Sequence, residues 1–184
     1  MDKNILKVLI DTVKYGDNYK TRPGLAGAVI TEHQREGEKS YLYCSNGYSL
    51  IRLECGGALC LPFNESMFWP LDKMLEEYKK IKKGEKAMIA GAIHKNENAR
   101  LGEDFTYNNQ DFSTPDYKAL IDDIEKRAEG ENMANNMALD LELLKTITPL
   151  GRLSIKILNT GYGAKVLKAE GEGVLFIQMG LKEH

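Results

Sequence analysis

Residues 40–54 read SYLYCSNGYSLIRLE. The first six, Ser40–Ser45, are rich in strand formers, and Asn46-Gly47 is a strong signal for a tight hairpin corner. After the corner, Leu50, Arg52 and Glu54 alternate with Ile51 and Leu53, the period of a strand with two unlike faces. Two strands joined by so short a corner run antiparallel.

The neighbouring segments extend this pattern. Upstream, GLAGAVITEH at 24–33 is small and β-branched and predicts another strand, with QREGEK at 34–39 as the turn between. Before it, NILKVLIDTVKY at 4–15 places Ile5, Leu6, Leu9, Ile10 and Val13 on one helical stripe, with Asn4 as the expected N-cap. Residues 16–24 read as a loop. Downstream, ALCLPF at 58–63 reads as a short strand. A second helix is expected from about Ser66 to Ile81, with Phe68, Leu71, Met74, Leu75 and Tyr78 at helical spacing, Pro70 in its first turn and Gly84 as its stop. EKAMIAGAI at 85–93 and a strand pair near 99–108 follow.

DFSTPDYKAL at 111–120 reads as a loop anchored by Pro115, and the polar run 122–136 as a frayed helix or a linker. NMALDLELLKTITPLG at 136–151 predicts a short strand and a helix with Leu141, Leu144 and Ile147 inward. RLSIKILN, YGAKVLKAE and GVLFIQMGL then read as three strands. Helix followed by strands thus recurs three times at a period of about 60 residues. Hairpin-connected strands between helices favour an α+β architecture, with helices on one face of antiparallel sheets, over a parallel α/β fold.

Composition sets the function classes. The chain has 184 residues, 42% hydrophobic and 28% charged, as a globular fold requires. Its formal net charge of −2 argues against tight wrapping of nucleic acid by bulk charge, though not against a local basic face. No apolar run reaches the ~18 residues of a membrane span, and MDKNILKVLI lacks a signal-peptide core, so a cytoplasmic address and no membrane partner are expected. Cys44, Cys55 and Cys60 are irregularly spaced and His33, His94 and His184 are scattered. Neither a disulfide framework nor a metal site is expected, and no cofactor is implied.

Catalytic signals are weak. GLAGAV at 24–29 resembles a phosphate loop but lacks the Lys-Ser/Thr ending and leads into a strand. No G-x-S-x-G or H-E-x-x-H occurs. Asp122-Asp123 and Glu76-Glu77 read as solvated pairs, Cys44 as a buried thiol without a nearby histidine, and Trp69 as packed core. The chain is expected not to be an enzyme.

Three segments resemble the bacterial sliding clamp family, the beta subunit of DNA polymerase III. CSNGYSLIRLE at 44–54 is similar to the family's T-D-G-x-R-L turn, with Asn46 in place of its acidic residue and Ser49 in place of its basic one. FSTPDYKALI at 112–121 is similar to F-P-D-Y-x-x-(V/L)-I through Pro115, Asp116, Tyr117, Leu120 and Ile121, with two extra residues after Phe112. VLFIQMGL at 174–181 is similar to the closing V-M-P-M-R-L through Met179 and Leu181, with Ile177 and Gln178 where Met and Pro are usual.

The resemblance implies a DNA-clamp-like fold of repeated β-α-β-β-β units. Residues 1–121 would form one domain of two units, 122–135 a linker, and 136–184 a half domain of one unit. It implies a non-enzymatic processivity factor of DNA replication, with an apolar pocket for linear peptides of polymerase or repair proteins. Carried over, the pocket is Ser45, Gly47, Tyr48 and Leu50 at the corner, Pro115 and Leu120 at the bend, and Ile177 and Met179 in the tail. Ordinary core and turn roles are the alternative for each. It further implies helices facing duplex DNA without sequence specificity, through Lys3, Lys7 and Lys14, then Lys73, Lys79, Lys80, Lys82 and Lys83. A solvated, internally paired helix face is the alternative there. A ring would require a homo-oligomer. The competing readings are a clamp-fold adaptor that binds peptides without encircling DNA, and a small-ligand protein or enzyme on an unrelated α+β fold.

Overall fold

The computed structural model describes residues 1–32, 40–55, 66–82, 84–86, 89, 93–94, 115–128, 137–160 and 164–180. Helix α1 spans Lys3–Lys14, followed by strands β1 (Gly27–Glu32), β2 (Ser40–Ser45), β3 (Ser49–Cys55) and β4 (Ser66–Pro70). Helix α2 (Leu71–Lys80), β5 (Ile93–His94), α3 (Tyr117–Ala128) and α4 (Leu141–Thr146) come next. Strands β6 (Ser154–Asn159), β7 (Lys165–Gly171) and β8 (Val174–Met179) end the described chain. All eight strands join one antiparallel sheet in the order β5-β4-β1-β2-β3-β8-β7-β6.

Six of these strands read the same from either end of the seam where β3 pairs with β8. α1 leads into the meander β1-β2-β3, and α4 into β6-β7-β8, and the last strands of the two meanders lie side by side. Ile51 is opposite Phe176 and Leu50 opposite Ile177 across that seam. This is the arrangement that two copies of one helix-and-meander unit adopt about a two-fold axis.

Alternation along the strands gives each face its own core. Leu42, Ile51, Phe176 and Leu167 turn to the face covered by α1 and α2, where they pack with Leu6, Leu9, Val13 and Met74. α4 adds Leu144 from its side of that layer. Each such side chain contributes about 1.5–3 kcal/mol when fully buried. Tyr43, Leu50, Val166, Leu175 and Ile177 turn to the opposite face. There they are covered by Tyr117, Ile121 and Ile124 of α3, residues four and seven apart on one stripe.

Several elements differ from expectation. The segment expected to open the second helix is strand β4. Pro70 disfavours helical backbone at Trp69, so the aromatic run stays extended and pairs with β1. Phe68 and Trp69 then point to opposite faces, both buried, and α2 begins only at Leu71. The expected loop at 111–120 becomes helix from Tyr117, and 122–128, read as frayed helix or linker, is the rest of α3. Helices therefore lie on both faces, with α3 opposite the other three. α1 is capped by Asp2, whose carboxylate accepts from the Asn4 N–H at 2.7 Å, and not by Asn4. Leu141 is exposed at the first position of α4, and Leu143 is buried in its stead. The turn at 34–39, the strand at 58–63, most of the strand at 85–93 and the pair near 99–108 lie outside the described residues.

Candidate functional site

The corner between β2 and β3 is built by its own side chains. Asn46 is fully buried, and its Oδ1 accepts from the N–H groups of Tyr48 (2.8 Å) and Ser49 (2.7 Å). Ser45 Oγ donates to the Ser49 carbonyl at 2.8 Å and accepts from Gly47 N at 3.1 Å. Gly47 sits at φ +87°, a conformation that suits glycine. A carboxamide at 46 suffices because the acceptor oxygen is what closes the turn.

The tail strand meets this corner directly. Met179 N donates to the Tyr48 carbonyl at 2.9 Å, extending the β3–β8 ladder past the Ser49–Gln178 pair. Six expected site residues thus share one end of the seam: Ser45, Gly47, Tyr48, Leu50, Ile177 and Met179. Leu50 and Ile177 are buried, while Tyr48 is 51% and Met179 47% exposed. The remaining two belong to the segment of α3, which packs on the same sheet face as Leu50 and Ile177. The Tyr117 ring stacks on Tyr43 at 5.8 Å, and Ile121 packs in the cluster that holds Leu50 and Ile177. Pro115 and Leu120 lie on the exposed side of this segment, Leu120 at 43%. Among the described residues, three of the five exposed large apolar side chains are expected site residues: Tyr48, Leu120 and Met179.

Other residues join the site without a local sequence signal. Asn18 Nδ2 donates to the Asn46 carbonyl at 2.7 Å. Leu25 is buried beside Gly47, its Cδ1 3.6 Å from where a Cβ on that glycine would stand. Tyr15 donates its hydroxyl to Asp140, which caps α4 through Glu142 N at 2.9 Å. That bond first, and burial second, push the Tyr15 phenol up to about 12, and it holds the Asp140 carboxyl below its ordinary range.

The lysines expected to face DNA divide into two groups. Lys3 donates to the Ile81 carbonyl at 2.7 Å and lies 4.7 Å over the Tyr78 ring. Lys7 pairs with Asp11 and Lys73 with Glu76. Lys14, Lys79, Lys80 and Lys82 are exposed, while Lys83 lies outside the described residues. Cys44 is buried, its thiol pushed up by burial and donating to the Leu9 carbonyl, which leaves it a poor nucleophile. Among the described residues, no three metal-ligating side chains cluster, and no helix is long and apolar enough to cross a membrane.

No protein-family model and no curated sequence matches the chain. Solved structures do match. The DNA polymerase III subunit beta of Borrelia burgdorferi, solved with a natural product, superposes at a TM-score of 0.56 and 13% identity, over 100% of this chain and 64% of that one. A putative beta subunit from Eubacterium rectale gives 0.52 at 12% identity, over 98% and 63%. The beta subunit of Streptococcus pyogenes gives 0.50 at 12%, over 100% and 64%. The fold is that of the bacterial sliding clamp. This clamp fold spans less than two thirds of the length of those structures. Of the segments that resemble the family, 44–54 and 174–180 meet at the β3–β8 seam, and Tyr117 and Ile121 of the third pack on the sheet face that carries Leu50 and Ile177.

Proposed function

We propose that the chain is a clamp-like, non-enzymatic binding protein of DNA replication that takes linear apolar peptides of polymerase or repair proteins at the β3–β8 seam. The observation that carries this is the half-exposed Tyr48 and Met179 beside the buried Leu50 and Ile177, with Leu120 exposed on the adjoining helix and Pro115 exposed just before it. A floor of aliphatic side chains with an adaptable methionine at its rim suits two or three leucine, methionine or phenylalanine side chains of a partner. The fold supports the reading, since the matching structures are beta subunits of DNA polymerase III and one of them holds a natural product.

The test is fluorescence anisotropy with a panel of fluorescein-labelled six-residue peptides carrying two or three such side chains, against serine-substituted controls. Met179→Ala and Leu120→Ala should each weaken binding by about tenfold or more, the equivalent of one partly buried contact. Unchanged affinity in both variants overturns the proposal.

A second reading, an adaptor that binds peptides without encircling DNA, is favoured by the helix surface. Lys3, Lys7 and Lys73 are committed to intramolecular partners. Mass in solution separates the two readings. A closed ring needs several copies of this chain, so a stable monomer at micromolar concentration selects the adaptor.

A further inference from the structure

The α1 helix ends at an unusual bend directly behind the site. Gly16 sits at φ +70° and Asp17 at φ +57°, and Asp17 is the one non-glycine residue with positive φ among those described. Gly16 takes this conformation without cost, Asp17 carries a modest one, and the pair turns the chain sharply at the end of α1.

What the bend enforces can be followed atom by atom. A Cβ on Gly16 would stand 3.2 Å from Cε2 and 3.7 Å from Cδ2 of Tyr48, so the glycine's bare Cα is the shelf on which that half-exposed ring rests. On one side of the shelf, Tyr15 donates its hydroxyl to Asp140, and the Asp140 carbonyl accepts from Gln178 Nε2 at 3.5 Å. Gln178 is fully buried between Ile177 and Met179 and lies opposite Ser49. Ser49 donates through its N–H to Asn46 Oδ1 at 2.7 Å, and the Asn46 carbonyl accepts from Asn18, which returns the circuit to the bend. Among the described residues, Gln178 Oε1 and Asn46 Nδ2 are buried without a partner, a cost that apolar side chains there would not carry.

We infer that the Tyr15–Gly16 bend is the positioning element of the peptide site: Gly16 sets the pose of the Tyr48 ring, and Tyr15, through Asp140 and Gln178, sets the height of the strand end that carries Met179. The inference rests on the peptide-site reading and adds residues to it that touch no peptide themselves. Tyr48 lies in the corner between β2 and β3, and its carbonyl accepts from Met179 N at 2.9 Å, so the two backbones are already joined. That bond leaves open the pose of the Tyr48 ring and the bracing of β8 beside Met179, and these are what Gly16 and the Tyr15–Asp140–Gln178 path contact.

The experiment uses the full chain, the same labelled peptides and a double-mutant cycle. Gly16→Ala should weaken peptide binding by about tenfold while the protein stays folded by circular dichroism, and should have no further effect in a Tyr48→Ala background, because its action passes through that ring. Tyr15→Phe keeps the ring and removes only the bond to Asp140. It should weaken binding severalfold and shift the ring-proton resonances of Tyr48 in tyrosine-labelled protein. A merely structural role would lower Tm and leave both the dissociation constant and those resonances unchanged. If Met179→Ala weakens binding while Gly16→Ala and Tyr15→Phe do not, the positioning role is refuted and the site stands. If Gly16→Ala acts equally with and without Tyr48, the role is likewise refuted. If no peptide binds the wild-type chain, the peptide-site reading falls and this inference with it.

Discussion

Replacing Phe176 by alanine strikes the seam on which the fold depends. Phe176 has no exposed surface, lies opposite Ile51 on β3 and opposite Ala169 on β7, and packs in the core under α1. An aromatic side chain buries about 150–250 Å², which at about 25 cal/mol per Å² is about 4–6 kcal/mol. That is an upper value, because the unfolded chain already hides part of its surface. Phe→Ala truncations in cores cost about 3–5 kcal/mol. The small neighbour Ala169 cannot fill the space left behind, so about 4 kcal/mol is expected. The assay is urea unfolding followed by circular dichroism and by the fluorescence of Trp69, the single tryptophan of the chain. Trp69 is on β4, separated from β8 by β1, β2 and β3. With a urea dependence of about 2 kcal/mol per molar, the midpoint should fall by about 2 M, and both signals should move together. If the Trp69 transition stays in place while a separate, earlier transition appears by circular dichroism, residues 1–121 and 136–184 fold independently and the seam is not a structural core. Ile155→Ala, on the exposed outer strand, is the control and should change stability by less than about 0.5 kcal/mol.

Tyr15 makes stability depend on pH at the alkaline end. Its folded-state value of about 12 lies above the ordinary 10, so the folded protein holds this proton more tightly than the unfolded chain does. The contribution is complete below pH 10 and lost as pH rises from 10 to about 12. Solvent screens this partly exposed pair, so Tyr15→Phe should cost no more than about 1 kcal/mol at pH 7 and flatten the fall of Tm between pH 10 and 12. Lys168 on β7 binds Glu125 of α3 at 2.7 Å and Glu170 at 3.0 Å, and these partners outweigh burial and hold its ammonium above the usual range. Lys168→Met leaves two carboxylates facing one another at a half-exposed place and should destabilise by about 1–2 kcal/mol in urea titration; an effect below about 0.3 kcal/mol would show that α3 is held by its apolar stripe alone.

The residues show which parts of this were legible beforehand. β2 and β3 follow the hairpin reading because aromatic and β-branched side chains, an Asn-Gly corner and strict alternation agree with one another. The tail strands follow for the same reason. SMFWP was misread because Phe68 stands at helical spacing from Leu71 and Leu75, and that coincidence concealed what Pro70 does to Trp69. α3 was readable in principle. Asp116 Oδ1 accepts from Ala119 N at 2.9 Å as a helix cap, and Tyr117, Ile121 and Ile124 share a face. Its remaining residues are polar because the helix lies on the sheet's outer surface, and that polarity mimics a linker. The motifs point to the meeting of corner and tail, which the β3–β8 pairing shows, while the segment at 111–120 is helix from Tyr117 where a loop is expected. Leu25, Asn18 and the Tyr15–Asp140 bond carry no such signal, because nothing local to residues 15–25 specifies that they fold back against residue 47.

The two halves of the functional reading rest on different physics. A peptide site needs one continuous apolar surface, and the proposal assigns that role to the seam and its adjoining helix, both of which belong to a single chain. Non-specific DNA binding needs many phosphate contacts, since each neutralised phosphate releases about one counterion and adds only a small increment of affinity. Of the expected DNA-facing lysines that are described, Lys3, Lys7 and Lys73 already have intramolecular partners, which leaves Lys14, Lys79, Lys80 and Lys82. Four exposed ammonium groups on a chain of net charge −2 would give only a small electrostatic affinity for a duplex, so the proposed DNA contact requires several copies whose helix faces converge. The proposed peptide site therefore calls for one chain, whereas the proposed DNA contact calls for an assembly, and mass in solution bears on the second alone.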